Sequence, residues 1–77
     1  MKVVEVVWTD ACFEDEYGVQ DAKQMDPIEM RTVGYVTSRN KKRIVLAMSY
    51  VPKQPDVVTE QMVIPAAMIV RVRKLGS

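Results

Sequence analysis

Residues 31–51 read RTVGYVTSRNKKRIVLAMSYV, two β-rich arms about a short polar turn. In the second arm, Arg43 to Val51, Ile44, Leu46, Met48 and Tyr50 alternate with Val45, Ala47, Ser49 and Val51. Alternation is the period of a strand, and Arg39-Asn40-Lys41-Lys42 supplies an asparagine that tolerates the positive φ of a tight turn. The stretch is expected to form a β-hairpin from arms Arg31–Ser38 and Arg43–Val51. Both faces of the second arm are rather apolar, which places it centrally in a sheet. Gly34 lies where the first arm must bend, and a glycine inside a strand marks a bulge or a tight corner.

Outward from the hairpin the same composition continues. Fourteen valines, four isoleucines and four threonines stand against two leucines in 77 residues, which favours sheet over helix. Lys2 to Thr9 (KVVEVVWT) predicts a first strand covered on two sides. The next stretch is a long polar excursion: Asp10 to Glu29 holds seven acids against Lys23 and reads as a long acidic loop, with room for a short helix over Val19–Met25 that Asp26-Pro27 would stop. After the hairpin, Pro52–Asp56 reads as a loop or irregular reversal, Val57–Ile64 as a fourth strand and Pro65-Ala66-Ala67 as an interruption. Met68–Leu75 closes the set, with Met68, Val70 and Val72 on one face and Arg71 and Arg73 on the other. The expectation is a single all-β domain over residues 1–77, a small five-stranded barrel, closed or partly closed, on the plan shared by SH3-like and Sm-like barrels.

A chain this short buries only about 60% of the surface its unfolded form exposes, so external support is expected. Cys12 is the lone cysteine and histidine is absent, which removes an internal disulfide and the usual zinc sites. Self-association remains, and a homo-oligomer is the expected state. No apolar run approaches the roughly 20 residues of a membrane span. Met1 to Trp8 lacks the features of a signal peptide, so the expected compartment is the cytoplasm.

The chemistry is bounded chiefly by what is missing. Without histidine, Ser–His and Cys–His nucleophiles are excluded and acid–base work near neutral pH loses its commonest group. Asp10, Glu14 and Asp15 around Cys12 would raise its pKa, which suits a packing residue better than a reactive thiol. Glu14-Asp15-Glu16 supplies paired carboxylates, but Asp10–Asp21 does not reproduce a calcium loop and reads as a solvated acidic stretch. Gly18, Gly34 and Gly76 are too dispersed for a phosphate loop. The expectation is a protein without catalytic residues, cofactor or metal.

Charge is segregated along the chain. From Arg31 to Lys53 there are six cations and no acid, while the whole chain is only +1. That total argues against a dedicated non-specific nucleic-acid binder. A basic hairpin tip remains, in which Arg31, Arg39, Lys41, Lys42 and Arg43 would neutralise phosphate and Trp8, Tyr35 and Tyr50 would pack or stack. The alternative is that the charged tip keeps a β protein soluble and discourages edge pairing. Trp8 has two readings of its own, a structural core residue or, with Tyr17 and Tyr35, the aromatic wall of a pocket. The acidic loop of one subunit meeting the basic hairpin of the next would serve self-association.

Val-Val-Trp-Thr-Asp near the start, Arg31-Thr-Val-Gly-Tyr-Val, Ile44-Val-Leu-Ala-Met-Ser and Ile64-Pro-Ala-Ala-Met-Ile-Val together resemble a group of small bacteriophage-encoded proteins, mostly uncharacterised. The resemblance implies an accessory protein acting in the bacterial host cytoplasm, such as an inhibitor of host defence that captures a nucleotide-like anion or a host protein. It carries over no functional residues. Two other readings stand beside it: a nucleic-acid-binding barrel using the same tip, and a structural or assembly protein with no soluble ligand.

Overall fold

The computed structural model describes residues 1–10 and 26–76. They form five strands, β1 (Val3–Asp10), β2 (Ile28–Arg39), β3 (Arg43–Val51), β4 (Gln54–Pro65) and β5 (Ile69–Leu75), with one 3-10 turn, Ala66–Met68, between the last two. The strands make one antiparallel sheet in the order β4-β3-β2-β1-β5. The expected hairpin is β2–β3, and β3 is flanked on both sides as its two apolar faces require. Two elements run longer than the sequence suggested. β2 begins at Ile28, and β4 begins at Gln54 and takes in Pro55, which an edge strand can accommodate because its outer N–H has no ladder to supply. The helix expected over Val19–Met25 lies outside the described residues, as do Cys12 and Tyr17.

β2 sets the shape of the sheet. Its residues Ile28–Tyr35 pair with β1 and its residues Tyr35–Arg39 pair with β3, so the strand passes from one partner to the other at Tyr35. Gly34 stands immediately before that crossing. A Cβ there would lie 3.0 Å from both the Ala47 carbonyl oxygen and Leu46 Cβ, so glycine lets β3 close on β2. Of the two alternatives for Gly34, a bulge or a tight corner, the change of partner at Tyr35 fits the corner, and the bulge lies between Val36 and Ser38, where the register with β3 slips by one residue.

Bending at β2 brings non-neighbouring strands onto one core. Val4, Val6 and Trp8 of β1 cluster with Ile44 and Leu46 of β3 and Ile64 of β4, and Val36, Met68, Ile69 and Val72 pack around them. Ile44, Leu46, Ile64, Val6 and Val7 are fully buried, each worth about 1.5–3 kcal/mol relative to exposure. The sheet curls but does not close. No ladder joins β4 to β5, which corrects the expectation of a closed barrel: the two strands diverge from the 3-10 turn and each remains an edge.

β5 departs from simple alternation. Its register with β1 shifts between Val7 and Trp8, pairing Trp8 with Ile69 and Val7 with Arg71. The extra residue, Val70, is turned outward and is 57% exposed, while Ile69 and Val72 meet the core. The expected inward trio of Met68, Val70 and Val72 is thus corrected at its middle member. Arg71 and Arg73 do lie opposite Val7 and Glu5, on the other face.

Candidate functional site

The β2–β3 turn is built by one side chain. Asn40 Oδ1 accepts the backbone N–H groups of Lys42 at 2.8 Å and Arg43 at 3.0 Å, while the Asn40 N–H donates to the Arg43 carbonyl at 3.0 Å. Asparagine therefore shapes this turn as an Asx motif rather than through the positive φ expected of it; among the described residues Glu60 is the only non-glycine with positive φ. Across from the turn, the Ala66 N–H donates to the Lys42 carbonyl at 2.8 Å, which ties the 3-10 turn to the hairpin tip.

Between these two turns lies a cavity of about 320 Å³ walled by Arg39, Asn40, Lys41 and Arg43, with Ile44, Ala66 and Ile69 as apolar lining. Its size is at the lower end of small-molecule sites. Among the described residues no acid lines it. Arg43 is oriented by a hydrogen bond from its Nη1 to Ser38 Oγ at 2.9 Å, which leaves the rest of its guanidinium fork to donate elsewhere. Cationic walls over an apolar floor suit an anionic group carried on a less polar body.

The residues singled out from sequence are distributed over four places. Arg39, Lys41 and Arg43 meet at the cavity, and Lys42 sits in the same turn, exposed, giving its carbonyl to Ala66. Arg31 lies elsewhere, on β2 opposite Val7, with its Nη1 3.9 Å from Glu5 Oε1; Arg73 Nη2 approaches the same oxygen at 3.4 Å. Trp8 is 6% exposed and belongs to the core, where its indole N–H donates to Thr32 Oγ1 at 2.9 Å. Tyr35 and Tyr50 pack edge to face, with ring centroids 4.9 Å apart, so these two rings meet each other and do not form a wall with Trp8.

Four lining residues were missed from sequence as site residues: Asn40, which was read as part of the turn, and Ile44, Ala66 and Ile69. Ile44 reads as core and is core; the cavity floor is the end of the hydrophobic cluster. Ala66 and Ile69 reach the site only through the 3-10 turn, for which the Pro65-Ala66-Ala67 interruption was the available signal. Among the described residues no three acidic or cysteine side chains converge to hold a metal ion, and no helix is long and apolar enough to cross a membrane. No protein-family model, curated protein or solved structure matches the chain, so the bacteriophage likeness rests on the quoted sequence marks alone.

Proposed function

We propose that this protein is a non-enzymatic binding protein that captures a small anion of the phosphate-bearing class in the cavity between the β2–β3 turn and the 3-10 turn. The observation that carries the reading is the convergence of Arg39, Lys41 and Arg43 around a cavity that no acid lines among the described residues and that Ile44, Ala66 and Ile69 floor. Guanidinium groups match phosphate oxygens in a bidentate fork, and an apolar floor accepts a nucleoside-like body. Lack of histidine supports capture over turnover. The strand order, with a 3-10 turn before the last strand, supports reading the curled sheet as an open variant of the SH3-like or Sm-like plan. In the phage accessory role that the resemblance implies, such capture would withdraw a nucleotide signal from the host.

The test is calorimetric titration with adenosine monophosphate and, separately, inorganic phosphate. Wild-type protein is expected to bind the nucleotide more tightly than phosphate. Replacing Lys41, Lys42 and Arg43 together by glutamine is expected to weaken nucleotide binding at least tenfold without lowering the melting temperature. Undiminished binding by the triple variant would remove the site.

A second reading, nucleic-acid binding, is favoured by a separate observation: Arg31 of β2 and Arg71 and Arg73 of β5 share one face of the β2-β1-β5 part of the sheet, flanking β1 on its two sides. Glu5 offsets one of these charges. Affinity for single-stranded DNA that falls linearly in log–log form with salt would identify this mode, and salt-independent affinity would exclude it.

A further inference from the structure

The two edges of the open sheet are chemically unlike. β4 carries Asp56 and Glu60 and no cation; β5 carries Arg71, Arg73 and Lys74 and no acid. An exposed edge presents unpaired N–H and C=O groups to any strand that fits, and natural proteins blunt it with proline, bulges or inward charge. In β4 such devices sit at Pro55, at Glu60, whose φ is 43°, and at the closing Pro65. Gln61–Ile64 has none of them, and Val63 there is 60% exposed. On β5, the bulged register turns Val70 outward.

We propose that the Gln61–Ile64 edge of one copy adds to the β5 edge of a second copy, extending the sheet between subunits. Charge selects this pairing over the alternatives. Joining β4 to β4 gives its acids no cation to meet, and joining β5 to β5 sets six cations along one seam (three from each copy's β5). Only β4 to β5 brings Glu60 toward Arg71 and Arg73 while covering Val63 and Val70. Such a contact is heterologous: after one contact, one copy still has its β5 edge free and the other its β4 edge, so the assembly closes into a ring or grows as a filament. Both edges start from the 3-10 turn that lines the anion cavity, so each cavity lies at the corner between two neighbours. This inference does not depend on what that cavity binds.

Native mass spectrometry of the full chain tests it, because mass reports subunit number separately from any bound anion. Wild-type protein is expected as a multimer. Val63→Lys adds a cation to the edge meant for basic β5, and Val70→Asp adds an acid to the edge meant for acidic β4; both sites are exposed, and far-UV circular dichroism should be unchanged. Each variant alone is expected to be monomeric, while an equimolar mixture forms mixed complexes through the intact edge left on each partner. A monomeric wild type, a Val70→Asp variant that still self-assembles, or a mixture that stays monomeric would each overturn the proposal.

Discussion

The two hairpin ends of the sheet are built from similar strands and held very differently. At the β2–β3 end, four backbone N–H groups are fixed within the turn and across to Ala66, and the floor is the fully buried Ile44. At the β3–β4 end, Met48–Val51 lie beyond the β2 ladder, and among the described residues Ser49, Tyr50 and Val51 pair only with β4. That ribbon leaves Met48 67% exposed; its ties are a 2.6 Å hydrogen bond between Ser49 Oγ and Thr59 Oγ1 and the packing of Tyr50 on Tyr35. A two-stranded ribbon alone is marginal in water. The backbone that carries the cations of the first end is fixed, and Arg43 is tied to Ser38, an arrangement that would lower the ordering cost of the binding proposed there; the second end offers no such platform.

The contrast can be broken most severely at the core beneath the first end. Ile44→Ala should cost about 2–5 kcal/mol through lost contacts and a residual void, whereas Val57→Ala in the exposed ribbon should stay within about 0.5 kcal/mol. Urea unfolding followed by circular dichroism measures both, and equal effects would refute the distinction. Asn40→Ala comes next, at about 1 kcal/mol, since it leaves the Lys42 and Arg43 N–H groups without their acceptor. Hydrogen exchange should quicken at those two amides and stay unchanged at residues 49–59; acceleration everywhere would mean that the turn is not a local unit. The smallest effect sharpens the other end. Glu60 is exposed with φ 43°, a region costing most residues about 1–2 kcal/mol, against the 0.5–1 kcal/mol that glycine loses in strands. Glu60→Gly should therefore stabilise by about 0.5 kcal/mol, and a destabilised variant would show that the side chain has a role beyond tolerating that backbone.

How much of this was legible in the sequence varies with the range of the interaction. Strand identities followed from local alternation, and the hairpin followed from the polar turn between two apolar arms. Closure did not, because it depends on whether β4 and β5 meet, and no local pattern encodes that pairing. The inward set on β5 was misread at Val70 because a bulge against β1 shifts the register, and a bulge belongs to two strands at once. Charge gave half of the candidate site. Arg39, Lys41 and Arg43 are neighbours in sequence and in space, but Arg31 stands eight residues up an extended strand from Arg39, about 26 Å along it. A run of cations in one dimension became two separate groups in three. Asn40 was assigned to the correct turn for a different reason: its side-chain oxygen, and not its backbone freedom, organises the tip.

Trp8 is the sole tryptophan, buried where β1 and β2 meet and bonded to Thr32. Its indole lines neither the cavity at the hairpin tip nor the exposed ribbon. The molecule thus contains its own optical probe of the folded centre. Blue-shifted emission should persist through events confined to the turn or to the sheet edges and move to the red only when the core admits water, so a ligand that changes Trp8 fluorescence has reached further into the protein than its binding site.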